Sequence, residues 1–267
     1  MKNFRIETPD DPRIAGFRDI RERDLTGRQG LFIAEGEVVL RVLTSGRSLC
    51  RPRAVLLADN RLDGLADALT GLPDGTPVYV AAQGVLDAIA GFPLHRGILA
   101  LGEKPTPTPL TALLDAAGPE ATVVLASGIG NHDNMGGLFR NAAAFGADAV
   151  LLDDRCCDPF YRKAIRVSVG AVLRTPMATG LEAVEAVEAL KAADFRVLAM
   201  TPSADRTLDR TPAGGRVAIV LGPEGPGLPP HLIARCEPVG IRMSGGFDSL
   251  NVAVAGALAL HHFARQA

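Results

Sequence analysis

Three short, glycine-containing stretches carry the side chains that could do chemistry. The first, Ser127-Gly-Ile-Gly-Asn-His-Asp-Asn-Met-Gly-Gly-Leu-Phe-Arg, offers Asn134 and Arg140 around the pair Gly136-Gly137. A guanidinium in such a place can grip a phosphate with two parallel N–H groups, whereas an isolated helical arginine is more often a plain surface residue. The second, Leu221-Gly-Pro-Glu-Gly-Pro-Gly-Leu, sets one carboxylate in a stiff turn, where Glu224 can meet a ligand or simply tie down the loop. The third runs from Ile241 and Met243 to Ser249, Leu250 and Asn251, which open an apolar run. A polar pair there can cap a helix, and the free backbone N–H groups of a helix start can hold a ligand. Phe247 and Leu250 could sandwich a flat ring whose edge is read by the backbone of Ile241 and Met243. None of the three is a Gly-x-Gly-x-x-Gly in register, and none has the Lys-Ser/Thr of a phosphate-binding loop.

Each stretch follows an apolar run that reads as a strand: residues 122–126, 217–221 and 237–241. Further strands are expected at 149–152, 172–177 and 196–200, alternating with helices at 110–117, 135–145, 160–169, 181–193, 229–235 and 249–264. Residues 203–215 read as a polar loop. Alternation of this kind predicts an α/β fold with a mostly parallel sheet covered on both faces. Ligands of such sheets sit beyond the carboxyl ends of the strands, so the three stretches converge on one edge. Asn131 or Asn134 can cap the helix after the first of them. Upstream lies a smaller alternating unit, with an exposed helix at 20–28, strands at 31–34, 54–58, 77–80 and 97–101, and helices at 35–46, 62–69 and 83–90. Glu103-Lys-Pro-Thr-Pro-Thr-Pro-Leu is an extended, semi-rigid spacer. The expected domains are therefore residues 1–104, a Pro-rich linker and short helix over 105–119, and residues 120–267.

The chain has 267 residues, 47% of them hydrophobic and 22% charged, with a formal net charge of −2. The whole molecule is no electrostatic nucleic-acid binder, but charge is local: +3 over residues 1–53 and +4 over residues 155–174. Residues 1–10 lack the apolar core of a signal peptide, and no segment reads as transmembrane. Cys50, Cys156, Cys157 and Cys236 show no metal or disulfide spacing, so reduced thiols in a cytoplasmic protein are expected, with no metal. Cys156-Cys157 reads better as two small apolar fillers at a strand end than as a redox pair.

Taken in order, the three stretches resemble the SpoU/TrmH family of RNA 2′-O-ribose methyltransferases, within the SPOUT superfamily. The family's Asn-x-Gly-x-x-x-Arg is matched by Asn134, Gly136 and Arg140, and its Gly-x-Glu-x-x-Gly-Leu by Gly222, Glu224, Gly227 and Leu228. Its Ile-Pro-Met followed by Ser-Leu-Asn-Val is matched by Ile241, Met243 and residues 249–252. Between the first two, Arg162-Lys-Ala-Ile-Arg-Val-Ser-Val-Gly-Ala is similar to Pro-Lys-x-x-Arg-x-Ser-x-Gly-Ala. The likeness covers residues 120–264. Phe32-Ile-Ala-Glu-Gly-Glu more loosely resembles the family's N-terminal substrate-binding domain. The chain departs from the pattern at Arg242 and Arg162, where the family has Pro, at Ala253, where Ser is common, and at Asn131-His132, where Asp-Pro often stands.

The resemblance implies a deep C-terminal trefoil knot, a homodimer formed through the C-terminal domain with its active site at the subunit interface, and S-adenosylmethionine as cofactor. It places cofactor contacts on Leu221, Gly222, Glu224, Gly227, Ile241, Met243, Ser249 and Leu250. It makes Arg140, Asn134, Ser249 and Asn251 catalytic, Arg140 holding a phosphate and developing alkoxide charge while Asn134 orients the ribose. Arg162, Lys163 and Arg166 become contacts to a structured RNA, rRNA or tRNA, whose backbone they position. With two tyrosines and no tryptophan, reading RNA by shape is at least as well served as base stacking. Two other readings compete: an RNA-binding protein that keeps the fold without catalysis, and a dinucleotide enzyme. Cofactor titration separates the first, and a nicotinamide-binding assay the second.

Overall fold

The protein is described here as a computed structural model, over residues 3–18, 25–27, 29–90, 94, 96–244 and 249–264. The chain divides into two compact units, Met1–Pro105 with Asp158–Arg174, and Thr106–Cys157 with Thr175–Ala267. The change of unit at Pro105 falls inside the Pro-rich spacer.

The first unit is built on a five-stranded mixed sheet. Its strands are β1 (Asn3–Ile6), β2 (Leu31–Glu35), β3 (Arg51–Ala58), β4 (Val78–Ala81) and β5 (Ile98–Glu103), in the order β1-β4-β3-β5-β2. β1, β4 and β3 are parallel, and β5 runs antiparallel to both β3 and β2. Helices α1 (Glu37–Leu43), α2 (Ala66–Leu69) and α3 (Gln83–Ala90) connect the strands. Ile6, Ile14, Leu56, Leu86 and Leu99 form a core cluster of this unit. The sequence reading missed β1, because only Ile6 of this edge strand is buried and the rest reads as a polar terminus. It also expected one helix over 62–69, where two 3-10 turns lead into a single turn of α-helix, Gly64 sitting inside the second of them. The helix expected at 20–28 lies mostly outside the described residues.

The second unit holds six strands, all parallel: β6 (Thr122–Ala126), β7 (Ala149–Asp153), β8 (Met177–Leu181), β9 (Arg196–Met200), β10 (Val217–Leu221) and β11 (Glu237–Val239). The order is β11-β9-β10-β6-β7-β8. Every residue of β6 and β10 is buried, as expected of central parallel strands with helices on both faces. In chain order the helices are α4 (Leu110–Asp115), α5 (His132–Ala144), α6 (Arg162–Val167), α7 (Ala183–Ala192), α8 (Pro230–Ile233) and α9 (Val252–Phe263). Among these α6 belongs to the first unit. The sheet changes direction between β6 and β10, whose last residues, Ala126 and Leu221, are register partners. A crevice is expected at that switch point, beyond the carboxyl ends of the strands.

Several boundaries differ from the sequence reading. The segment 158–174, expected within the second domain, groups with the first unit. Phe160 packs on Phe32 with ring centroids 5.4 Å apart, Lys104 pairs with Asp158 at 2.5 Å, and Leu49 N–H donates to Leu173 O at 2.8 Å. Residues 172–173 form a 3-10 turn rather than strand, because Gly170 is left-handed at φ 80° and the strand starts only after Pro176. Glu182 caps α7 through Glu185 N–H, so Leu181 ends β8 instead of opening the helix. Glu35 closes β2, and α1 starts only after Gly36 at φ 91°. The expected polar loop at 203–215 contains a 3-10 turn at Leu208–Arg210, with Leu208 and Thr211 buried.

Small residues set the distance between α5 and α9. A Cβ on Gly137 would stand 2.8 Å from Ala253 Cβ, and one on Gly256 would stand 2.9 Å from the tips of Leu138 and Leu221. Asn141 Nδ2 donates to Ala253 O at 2.8 Å across the same seam. Leucine tips can swing away, whereas a Cβ fixed to a helix backbone cannot. Gly137→Ala is therefore expected to destabilise by about 1–3 kcal/mol, since overpacking outweighs the helix propensity gained. Gly256→Ala should be close to neutral. Denaturant midpoints of the two variants check the contrast, and equal midpoints would contradict it.

Candidate functional site

The site is assembled from three chain segments at the carboxyl edge of the second sheet. Asn131 extends from β6 into the first loop and caps α5, its side chain accepting Asp133 N–H at 2.7 Å. That cap starts the helix at His132, earlier than the sequence pattern placed it, and puts Asn134 in the first turn, buried. Behind it, the loop is held by Asp153 at the end of β7. Its carboxylate accepts the Ser127 hydroxyl at 2.7 Å, Gly128 N–H at 2.9 Å and Arg155 Nη2 at 3.1 Å.

Burial alone would push the Asp153 pKa up. The donors Gly128, Ser127, Cys156 and Arg155 more than offset it and hold the carboxyl below the ordinary carboxylate value. A depressed folded-state pKa contributes stability that is fully present above the unfolded value of about 3.9 and is lost as pH falls through the folded one. Asp153→Asn should therefore flatten the loss of stability below about pH 4. Urea midpoints of both proteins between about pH 3 and 6 test this, and parallel curves would refute it.

Cys156 belongs to the same support. Its Sγ accepts Ile129 N–H and donates to Ala126 O, both at 3.3 Å, and burial pushes the thiol up to about 12. This is a neutral structural thiol rather than a nucleophile or half of a redox pair.

The second loop folds back on itself because position 222 has no side chain. A Cβ there would lie 2.6 Å from Leu228 N and 2.7 Å from Gly227 C. Gly225 and Gly227 take φ 87° and 68°, a region glycine enters without strain. The third segment ends at Asn251, which caps α9. Its Oδ1 accepts Ala253 N–H at 3.0 Å and Val254 N–H at 3.2 Å. The helix therefore opens at Val252, after the Ser249-Leu250-Asn251 stretch that the sequence reading had included in it.

With Oδ1 committed to two donors, Nδ2 of Asn251 must face the other way. It donates to Asn134 Oδ1 at 2.8 Å and to Glu224 Oε1 at 2.6 Å. One amide thus joins all three loops. Glu224 does tie down a loop, yet it also lines the cleft beside it.

That cleft has a volume of about 350 Å³. Its lining includes Leu221, Gly222, Glu224, Gly227, Ile241, Met243, Ser249, Leu250 and Asn251, which the sequence had marked as a set. Missed by sequence reasoning are Met200, Thr201 and Pro202, at the end of β9 and just beyond. Only the strand order reveals them: β9 is the neighbour of β10, so its carboxyl end must border the same crevice. Asn134 reaches the cleft through Asn251. Arg140 does not line it; the residue is exposed on α5 and forms no ion pair among the described residues. Arg162, Lys163 and Arg166 lie on α6, in the first unit. Phe247 lies outside the described residues. No group of three metal-ligating side chains occurs among the described residues, and no described helix is long and apolar enough to cross a membrane.

The second unit thus joins a parallel α/β sheet to three loops tied together by one amide at its switch point. The sequence model of the SpoU rRNA Methylase family matches residues 121–261. An uncharacterized tRNA/rRNA methyltransferase of Mycobacterium bovis is 40% identical, covering 96% of this chain and 90% of its own. A solved RNA 2′-O ribose methyltransferase superposes with a TM-score of 0.77 at 27% identity, covering 97% of both chains. The AdoMet-bound rRNA methyltransferase from Sinorhizobium meliloti has a TM-score of 0.79 over 97% of both chains at 22% identity, a likeness of fold. The chain belongs to the SpoU methylase family.

Proposed function

We propose that this chain transfers a methyl group from S-adenosylmethionine to a ribose 2′-hydroxyl of rRNA or tRNA. The observation that carries the reading is the Asn251 amide bridging Asn134 and Glu224 at the lip of the cleft. It unites the family's three motifs at one place, and in transfer of a preactivated methyl group the nucleophile is the substrate's own 2′-oxygen. AdoMet in the S. meliloti structure and the wording of the relatives' names support the same cofactor and an RNA substrate.

The cleft suits the cofactor chemically. Gly222 and Gly227 let backbone come close, Leu221, Ile241, Met243 and Leu250 supply apolar walls, and exposed peptide edges can read a purine. When bound, S-adenosylmethionine supplies an electrophilic methyl on a sulfonium, whose carbon–sulfur electron pair returns to sulfur as the carbon–oxygen bond forms. The protein's work is to align the 2′-oxygen and ease loss of its proton. Asn134 and Ser249 orient the ribose, and Asn251, its amide committed to α9, Asn134 and Glu224, holds Asn134 in place for it. A guanidinium holds its proton too tightly to be a good base, so Arg140 is assigned the adjacent phosphate and the developing alkoxide charge.

Arg140 lies outside its own chain's cleft, which fits a homodimer in which a second copy supplies it. Leu250, Val254 and Leu258 are exposed large apolar residues on and just before α9, the helix seamed to α5, and they give such a dimer an apolar face. The trefoil knot belongs to the same reading. Gly240 leaves the sheet's edge bridged to Thr207, yet by Asn251 the chain is back between the β6 and β10 loops. Arg162, Lys163 and Arg166 are proposed RNA-backbone contacts, and a cytoplasmic location goes with them. Part of that charge is answered internally, since Glu35 lies 3.8 Å from Arg162 and 3.9 Å from Arg166.

The test is to map 2′-O-methyl marks in total RNA with and without the gene, together with calorimetric titration of the protein by S-adenosylmethionine. A mark lost with the gene and restored by the wild-type gene is expected. Cofactor binding with no missing mark would favour the non-catalytic RNA-binding reading.

A further inference from the structure

Arg155 follows the end of β7 and belongs to neither the three motifs nor the cleft. Its side chain is 57% exposed, yet its head is tied down. Nε and Nη2 donate to Asp153 Oδ2 at 3.3 and 3.1 Å, and Nη2 also donates to Ser127 Oγ at 2.9 Å. The Asp153 side chain is fully buried. An ion pair open to water on both sides is worth little, whereas a guanidinium that closes a buried carboxylate is held where it is.

Ser127 carries this network into the site, and it is fully buried. Its hydroxyl oxygen accepts Arg155 Nη2, which turns the hydroxyl hydrogen to Asp153 Oδ2 at 2.7 Å. Its backbone N–H donates to Leu221 O at 2.9 Å, where β10 gives way to the second loop. Gly128 repeats the pattern. Its N–H donates to Asp153 Oδ1 at 2.9 Å, and a Cβ on it would stand 3.6 Å from Pro223. The root of the first loop is therefore held by Asp153 and Arg155 on one side and by the second loop on the other. Further along the same loop and helix, Asn134 meets Asn251 at 2.8 Å.

We propose that Arg155 is a positioning residue for methyl transfer: through Ser127 and Asp153 it sets where the first loop leaves β6, and with it where Asn134 stands against the ribose. This rests on the reaction proposed above and adds to it a residue outside the cleft. The cofactor walls come from β9 and the other two loops, so a shift at the root of the first loop leaves them in place. A reacting group misplaced by about 1 Å costs up to about 10²-fold in rate.

The test uses the full-length protein, methyl-labelled S-adenosylmethionine and total RNA from cells lacking the gene. Arg155→Ala is expected to lower the rate at saturating RNA about tenfold, with cofactor affinity and half-saturating RNA within about twofold. Arg155→Lys keeps the charge but replaces the planar fork by one point donor, and should recover little of the rate. Ser127→Ala should show a similar loss, and the double variant should lose no more than the larger single one, since both act through one contact. Asp153 keeps the Ser127 hydroxyl, Gly128 N–H and the backbone N–H of residue 155 at 3.1 Å, so Arg155→Ala should fold, as its thermal midpoint reports. Amide hydrogen exchange supplies a readout that needs no activity. In Arg155→Ala, peptides covering 127–134 should exchange about fivefold faster or more, with α9 unchanged.

A wild-type rate in Arg155→Ala overturns the proposal. So does Arg155→Lys matching the wild type, which would make the residue a charge for RNA, and so does a lost rate with unchanged exchange. If the wild type itself transfers no methyl group to that RNA, the proposed reaction fails, and exchange alone then decides whether Arg155 orders the loop.

Discussion

Arg140→Ala is expected to lower methyl transfer by about 10²–10³-fold or more, while S-adenosylmethionine affinity stays within a few-fold. The two halves of this result have separate causes. Arg140 is exposed on α5 and lines no part of the cleft, so cofactor contacts survive its loss. In the proposed reaction, what is lost is a preorganised cation for the charge that grows on the 2′-oxygen, a contribution made only in the transition state. Single-turnover rates with saturating RNA, beside calorimetric titration of the cofactor, check both halves. Loss of cofactor binding in this variant would remove Arg140 from the role assigned to it.

The proposed homodimer adds a consequence. A cleft that borrows Arg140 from a second copy can be rebuilt in mixed dimers. Arg140→Ala subunits mixed with subunits inactive through Asn251 should regain activity, because one site of each mixed dimer then has every group. If both variants fold and dimerise but their mixture stays inactive, Arg140 acts within its own chain.

Asn251 is the second position where a large effect is expected, and two substitutions separate its two tasks. Asn251→Ala loses the acceptor that caps α9 and the donor that joins Asn134 to Glu224. It should cost about 1 kcal/mol of stability through the cap, and activity as well. Asn251→Asp keeps the acceptor, so the helix start and thermal midpoint should survive. It removes the donor and sets a second carboxylate against Glu224, where the amide now donates at 2.6 Å. Asn134, buried, then loses the partner of its Oδ1. Methyl transfer should fall by about two orders of magnitude with the fold intact. Near-normal turnover in the Asn251→Asp variant would reduce the bridge to a helix cap.

Much of the site could be read from residue order. The continuous apolar runs of β6 and β10 identify buried parallel strands, and the polar, glycine-bearing segments after them mark where backbone is left open. Gly222 is a good example: its spacing to Leu228 in a Gly-Pro-Glu-Gly-Pro-Gly-Leu turn already marks a tight loop, and the structural reason is that any Cβ at 222 would stand 2.6 Å from Leu228 N. Met200, Thr201 and Pro202 could not be read this way. They carry no distinctive pattern, and they border the cleft only because β9 pairs with β10 in the sheet. The grouping of 158–174 with the first unit was equally hidden. The segment lies between two strands of the second sheet, while its partners, Phe32, Glu35 and Lys104, lie far back in the chain.

By itself the sequence determined what is local or periodic: the alternating strands and helices, the Pro-rich spacer, the spacing of Asn134, Gly222, Glu224 and Asn251, and with them the family. Those features depend on propensity, patterning and the order of residues, which the chain carries without folding. Tertiary structure decided which groups meet. It gave Asn251 two jobs, since an amide whose oxygen is fixed by α9 has its nitrogen aimed at Asn134 and Glu224. It left Arg140 outside its own chain's cleft, and it set the Arg96 side chain against Gly36. Such meetings follow from strand order and from the directions in which side chains leave their elements, and no spacing along the chain encodes either.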